Sequence, residues 1–394
     1  MTDRPASPAR LAARMRAIEP FHAMDVLARA HALEAAGRSI VHMEVGEPDF
    51  ETPRPVLERA ARVTAKGSVP YTQALGLPAL REAIARFYAE RYHVEVAPER
   101  IVVTAGASGA LLLAMGVLVN PGEEVLMADP CYPCNRQFIR VMGGEPRCLP
   151  VGPETRWQPT AELLGRHWGE RTAAALVASP ANPTGTMIDH AELGRIAALV
   201  EARGGVLVVD EIYHGLTYGL DARTALALSD RVFVVNSFSK YFDMTGWRLG
   251  WLVAPPEYVR ELEKLQQNLF ICPSTVAQQA ALAAFEPATI DLLEGRRREF
   301  QARRDFLLPA LRELGFGLPV VPEGAFYLYA DCARFSSDSF AFALEILERA
   351  GVALTPGRDF GQHLPERHLR IAYTTSRPNL ELAVERLRSF LASR

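Results

Sequence analysis

The sequence predicts an α/β fold, a mostly parallel sheet flanked by helices, joined to a smaller α+β part. Three observations carry this. Short Val- and Leu-rich runs alternate with helical patterns over roughly 200 residues. The runs show little polar alternation, as expected of strands in a sheet covered on both faces. Two of them, Val206–Val209 and Val232–Val235, end in polar groups. The first leads to Asp210 and Tyr213, the second to Ser237, Ser239 and Lys240, and Arg248 follows just past Gly246. In open α/β sheets ligands bind at such strand ends.

Bulk properties narrow the class. The chain has 394 residues, 49% hydrophobic and 23% charged, with a formal net charge of -3. Length and composition suit one large domain with a smaller one. The charge does not favour a nucleic-acid or anionic-membrane surface, and neither partner is expected. The stretch MTDRPASPARLAARM has no long apolar core, so no secretory signal is expected. Ala110–Val119 is too short to span a bilayer. Five cysteines in so long a chain argue against a disulfide framework, and a cytoplasmic enzyme is expected.

In chain order, residues 1–15 read as an arm or an edge helix. Phe21–Ala36 is helical by its apolar spacing and ends at Gly37, and Ile40–Met43 is a short strand. EVGEPDF (44–50) breaks structure through Gly46 and Pro48. Helices over Val56–Ala65 and Pro78–Arg91 flank the loop Tyr71–Gly76. Strand Ile101–Thr104 runs into TAGASGA, read as a tight turn before the helix Ala110–Leu118, and its backbone N–H groups suit an anion. Strand Glu124–Ala128, helix Arg136–Met142 and a strand carrying Cys148 follow. Strand Ala173–Ala178 feeds Asn182-Pro183-Thr184-Gly185. Asp189 with Glu192 reads as a capping box for the helix His190–Ala202. After the strand Leu249–Val253 come helices over Glu257–Leu269, Thr275–Phe285 and Ile290–Leu314, with a kink or end expected at Pro309. The remainder holds strands at Ala325–Tyr329, Val352–Leu354 and His368–Tyr373, and helices at Ser339–Ala350 and Asn379–Leu391.

The strand-end residues suit a cofactor with a ring nitrogen, an aldehyde and a phosphate. Lys240 can form an imine with an aldehyde, although most lysines are solvated surface charges. Asp210 can keep a pyridine nitrogen protonated, yet strand-end acids also serve as caps or metal ligands. Asp210–Glu211 resembles the acidic pair of nucleotide-hydrolysing enzymes, but no GxxxxGK(S/T) accompanies it. Tyr213 and Asn182 can donate to a ring oxygen, or form an ordinary turn. Arg248, Ser237, Ser239 and the N–H groups of Ala107 and Ser108 suit a phosphate. Cys131–Cys134 forms a CxxC, but no second one completes a four-thiolate site. The nine histidines show no HExxH or paired spacing, and no metal site is expected.

Taken together, NPTG, DEIY and SFSK with Arg248, in this order along the chain, resemble the class I, fold-type I aminotransferases that use pyridoxal 5′-phosphate. The resemblance runs from EVGEPDF to RIAYTTS near residue 370. It implies a seven-stranded sheet, a large cofactor-binding domain over residues 46–285, and a small domain of residues 1–45 with 286–394. It implies that Lys240 bonds the cofactor and moves the proton, that Asp210 pairs with the ring nitrogen, and that Tyr213 and Asn182 contact the ring oxygen. Ser237, Ser239, Arg248, Ala107 and Ser108 are implied to hold the phosphate. Tyr132 is implied to stack on the ring, which accounts for DPCYPC. Tyr71 is implied to reach the phosphate of a partner subunit in a homodimer. Arg370, helped by the backbone at Gly46, is implied to grip the substrate α-carboxylate.

The implied reaction moves the amino group of an L-amino acid to a 2-oxo acid, 2-oxoglutarate by expectation, in ping-pong fashion. The same scaffold also carries carbon–sulfur β-lyases. A non-catalytic cofactor-binding regulatory module is the remaining alternative, but no helix-turn-helix precedes EVGEPDF. Side-chain specificity stays open at this point. His22 and Arg136 are candidate cations for a distal carboxylate, and Phe21, Phe326 and Tyr327 are candidate apolar contacts.

Overall fold

Strands fully enclosed on both faces dominate the centre of the molecule. The computed structural model describes residues 10–220 and 222–394. The arm expected over residues 1–15 lies partly outside the described residues, and Ala13–Ala17 forms a short 3-10 helix. The strands are β1 (Val41–His42), β2 (Ile101–Thr104), β3 (Glu124–Asp129), β4 (Glu145–Pro150), β5 (Thr172–Ala178), β6 (Val206–Asp210), β7 (Phe233–Ser237), β8 (Gly250–Val253), β9 (Tyr327–Asp331), β10 (Val352–Ala353), β11 (Thr355–Pro356) and β12 (His368–Ala372). Seven of them form one sheet in the order β2-β8-β7-β6-β5-β3-β4. Only β8 runs antiparallel to its neighbours in it. Every residue of β2, β7 and β8 is buried, which explains their unbroken apolar runs.

This order places the chemistry-bearing strand ends together. Strands β5, β6 and β7 are parallel neighbours, with Ala178 opposite Asp210 and Asp210 opposite Val235. Asn182, Asp210 and the Ser237–Lys240 segment therefore leave the sheet at one edge. Thr104, at the end of β2, pairs with Gly250 at the start of β8. The Ala107–Ser108 segment and Arg248 thus meet at that same edge.

A second sheet, β11-β12-β9, is antiparallel, and β1 pairs with β10 in parallel, Val41 opposite Val352. The start of the described chain is thereby tied to its last quarter. The helix His22–Ala35 buries Val26, Ala30 and Leu33 with Leu347 and Ala353.

Four local expectations need correction. The helix after β2 begins at Gly106, not Ala110, so residues 106–109 of TAGASGA are its first turn. Small residues allow that turn to lie against β8, where a Cβ on Gly250 would stand 2.8 Å from the Ala107 nitrogen. Pro309 does not end its helix, which runs Pro287–Glu313. The Asp305 carbonyl that loses a partner there is on an exposed residue, while Leu307, Leu308 and Leu311 are buried and hold the helix to the core. Asp189 does cap its helix, accepting from the amides of Ala191 and Glu192. Glu192 instead accepts from the Ala161 amide and pairs with Arg195, so the reciprocal half of the box is absent. The strand expected at Val352–Leu354 ends at Ala353 as β10, and β11 begins after Leu354.

Phe238, between the two serines of SFSK, is fully buried, with ring centroids 5.0 Å from those of both Phe242 and Trp251. Phe238→Ala should cost about 3–5 kcal/mol, read as a lowered midpoint in urea unfolding.

Candidate active site

The sheet edge and the small sheet enclose a cavity of about 270 Å³. Lys240 enters it directly after the end of β7, and its Nζ donates to the Gly46 carbonyl at 2.8 Å. Burial brings the Lys240 amine down to about 8. The Glu47 carboxylate opposes that shift, and the Arg370 and Arg248 charges add to it. Asp210 is buried at the end of β6 and accepts from the Ile212 amide at 3.0 Å. Burial pushes its carboxyl up to about 6, against the pull of that amide and of Lys240.

One corner of the cavity is rich in donors. The Arg248 guanidinium donates to Ser239 Oγ at 3.4 Å and to the Thr245 carbonyl at 3.1 Å. Ser237 Oγ donates to Ser239 Oγ at 3.0 Å. Ala107 and Ser108 open the helix Gly106–Leu118, whose first N–H groups have no acceptor within it. Gly106 has φ +69°, and a Cβ there would lie 2.6 Å from Arg248 Nη2, so only glycine lets the guanidinium approach. The corner can hold a dianion.

The opposite side carries Arg370, on β12. Its Nη1 donates to Asn182 Oδ1 at 3.1 Å, and its Nη2 to the Glu44 carbonyl at 2.6 Å and Thr355 Oγ1 at 3.3 Å. The guanidinium lies 4.4 Å from the Tyr327 ring centroid and 4.9 Å from that of Phe360. Its Nε is buried without an acceptor. Among the described residues no carboxylate side chain forms an ion pair with it, so no direct partner compensates its charge. Tyr213 and Tyr327 share a hydrogen bond of 2.8 Å between their hydroxyls, and burial raises both phenols above their ordinary range.

Of the residues singled out in the sequence, Lys240, Asp210, Tyr213, Asn182, Tyr132, Ser237, Ser239, Arg248, Ala107, Ser108, Arg370 and Gly46 all line this one cavity. Tyr71 does not, being 82% exposed on the surface. Phe21 and Tyr327 line it, whereas Phe326 stands behind, its ring 5.8 Å from Lys240 Nζ. His22 and Arg136 are outside. Arg136 donates to the Asp359 carbonyl at 2.7 Å. Tyr132 Oη accepts from Cys134 Sγ at 3.3 Å, which places this cysteine beside the ring.

Sequence reasoning missed Met24, Leu111, Asp359 and Phe360 in the lining. Asp359 was findable only in three dimensions, since it accepts from the amides of His22 and Ala23, more than 330 positions away, at 2.7 and 2.8 Å. A Cβ at Gly46 would lie 1.8 Å from the Tyr327 hydroxyl, so the close approach of EVGEPDF to the cavity requires glycine.

Comparison with known proteins agrees with this geometry. The family model described as aminotransferase class I and II matches residues 38–387. The valine–pyruvate aminotransferase of Mycobacterium tuberculosis is 40% identical over 378 residues, covering 95% of this chain and 97% of that protein. The crystal structure of an aminotransferase from Mycobacterium tuberculosis matches with a TM-score of 0.94 at 39% identity, covering 98% of this chain and 100% of the other. Aspartate aminotransferase from Thermus thermophilus with maleate matches with a TM-score of 0.91 at 34% identity, covering 97% and 100%. The chain belongs to the class I and II aminotransferase family and is a transaminase of that fold.

The chain has three lysines, Lys66, Lys240 and Lys264, so peptide mapping reads Lys240 separately. With the cavity free of any bound group, labelling of Lys240 by an amine-reactive reagent should rise with pH through a midpoint of about 8, because only the neutral amine reacts. A midpoint above ~10 would mean that the cavity does not depress it.

Proposed function

We propose, from membership of this family, that the chain uses pyridoxal 5′-phosphate bound through Lys240 and transfers the amino group of an apolar L-amino acid to a 2-oxo acid in two half-reactions. The observation that carries the reading is the meeting of the Lys240 amine, the buried Asp210 carboxyl and the uncompensated Arg370 charge in one cavity. Three features fit the cofactor. The corner of Arg248, Ser237, Ser239 and the Ala107–Ser108 amides suits its phosphate, and only a glycine at 106 leaves that corner open. Asp210 suits its ring nitrogen, a cation that would draw the carboxyl back toward ionisation. Asn182 Oδ1 accepts from Arg370, which leaves its amide N–H groups for the ring oxygen, with Tyr213 as a second donor. Tyr132 supplies an aromatic face.

When bound, pyridoxal phosphate supplies an aldehyde carbon for amino exchange and a ring that withdraws electrons from the substrate carbon. The chain's own groups do the rest. Lys240 Nζ, partly neutral near pH 8, would hold the group through that carbon and, once released by the incoming amino group, would take the proton from the substrate α-carbon and pass it on. Arg370 holds the α-carboxylate and so orients the Cα–H bond. The Gly46 carbonyl, which accepts from Lys240 Nζ, is a place to hold the ammonium when the proton is on it.

Substrate class follows from the lining. The cavity lining includes Phe21, Ala23, Met24, Leu111 and Phe360, with Phe360 4.9 Å from the Arg370 guanidinium, and the Asp359 carboxylate, which feels the Arg370 charge, would repel a second anion. Arg136, the nearby cation, is engaged behind Asp359. The groups of this chain thus favour apolar donors, and a 2-oxo monocarboxylate over 2-oxoglutarate as acceptor. The relative named for valine and pyruvate supports this.

A homodimer is proposed because Tyr71 is exposed together with Val69 and Ile271, consistent with a role at a neighbour's cavity. In the proposed division, residues 46–285 carry the cofactor and flanking residues form the smaller unit. The five cysteines are unpaired, which supports the cytoplasm as the compartment. Among the described residues no helix is long and apolar enough to cross a membrane.

The test is to add single amino acids to the purified holoenzyme. Valine or leucine should bleach the visible absorption of the lysine-linked cofactor and release the matching 2-oxo acid. Their kcat/KM should exceed that of aspartate by about 10-fold or more, the cost of leaving a carboxylate unpaired. Pyruvate should outperform 2-oxoglutarate in the second half-reaction. Pyruvate and ammonia formed from a cysteine conjugate, with no amino transfer, would instead identify a β-lyase. Asp210→Asn should lower kcat about 10²–10³-fold while leaving circular dichroism unchanged.

A further inference from the structure

Outside the cavity, three side chains that transamination does not use converge on the surface. His31 and Glu34 lie one turn apart on the helix His22–Ala35 and share a face. His42 sits on β1, where its pairing with Ala353 of β10 sets the backbone. One ligand atom from each of the three lies within 4.8 Å of the others, and among the described residues this is the one group of three or more His, Cys, Asp or Glu side chains that does so. The His42 Nε2 to Glu34 Oε1 distance is 3.1 Å, and the His31 and His42 ring centroids are 5.8 Å apart.

A fourth residue gives this group its direction. The Nδ1 of His42 lies 2.7 Å from Oε1 of Glu44, a fully buried carboxylate whose other oxygen has no partner. With Nδ1–H donating to Glu44, Nε2 faces Glu34 and His31, and an ion bound there takes the place of the proton that Nε2 otherwise shares with Glu34. Carboxylates behind metal-bound histidines set the ring in the same manner and raise its basicity. His31 and Glu34 are exposed, so an ion and its waters can reach the site.

We propose that His31, Glu34 and His42 bind one divalent transition-metal ion, with zinc the best match, and that Glu44 positions His42 for it. Two imidazole nitrogens and one carboxylate oxygen, with water completing the shell, suit zinc. Magnesium and calcium prefer all-oxygen sites. The charges of Glu34 and Glu44 offset that of the ion. The ligands bridge two elements that shape the active site. The helix carries Ala23 and Met24 of the cavity lining at its start, and β1 leads into Glu44, whose carbonyl accepts from Arg370. A bound ion therefore cross-links the cavity roof to the strand behind the substrate arginine. No sequence motif announced this group, because its third ligand comes from a different element.

The experiment uses the full-length holoenzyme, treated with chelator and dialysed, and zinc ion alone as the probe. Calorimetry should give one zinc per chain. His31→Ala and Glu34→Gln, both at exposed positions, should each weaken binding at least ~10-fold. Zinc at 100 times its dissociation constant should raise the Tm of the unaltered protein by about 3 °C, and not that of His31→Ala. X-ray absorption should show nitrogen and oxygen neighbours only. A sulfur neighbour at ~2.3 Å would place the ion on cysteines and overturn the proposal. So would zinc affinity unchanged from that of the unaltered protein in both variants, or no binding up to ~1 mM.

Discussion

The buried guanidinium of Arg370 joins parts of the chain that sequence keeps far apart. It reaches Asn182, 188 positions away, beyond the end of β5, and the Glu44 carbonyl, 326 positions away, beyond β1. A buried charge is costly unless its donors are satisfied. Here the acceptors are an amide, a carbonyl and a hydroxyl, and two aromatic rings flank the plane. Neutral acceptors satisfy hydrogen bonds without cancelling the charge. The site therefore keeps an attraction for an anion, and the two sheets and the N-terminal strand have to meet for it to exist.

Lys240 and Asp210 show the complementary effect. The same burial raises the acid to about 6 and lowers the amine to about 8, so the two proton affinities are drawn toward each other and toward neutrality. A lysine on an open surface would stay protonated and unreactive. The parallel neighbours β6 and β7 place both groups at one sheet edge, where helices and the small sheet limit water. Fold and reactivity are linked by that geometry.

The cavity roof depends on a capping arrangement borrowed from elsewhere. The helix His22–Ala35 has Phe21 at its N-cap position, with no side-chain cap of its own. Asp359 takes that part, accepting from the amides of His22 and Ala23. Phe21, Ala23 and Met24 are thereby held over the substrate space. The carboxylate that fixes them is itself part of the cavity lining, so one contact both orders the roof and adds a negative group to it.

Much of the fold was legible in the sequence. Apolar runs marked the strands, and helix periodicity marked the helices, because both depend on residues within one or two turns of each other. Lys240, Asp210, Asn182 and Arg248 were legible as candidates because each stands beside a strand end or a turn, and the resemblance of their motifs assigned them roles. Pro309 was misread because its effect depends on whether the freed carbonyl is exposed, and the first turn at Gly106 because its small residues are explained by β8. Strand order, the approach of Tyr327 to Gly46, the Asp359 cap and the grouping of His31, Glu34 and His42 were not legible. The sequence by itself determined which groups stand at strand ends and which runs are buried. Only the tertiary structure decided which of those groups face one another, since that rests on pairing and packing between segments hundreds of residues apart, which no local pattern encodes.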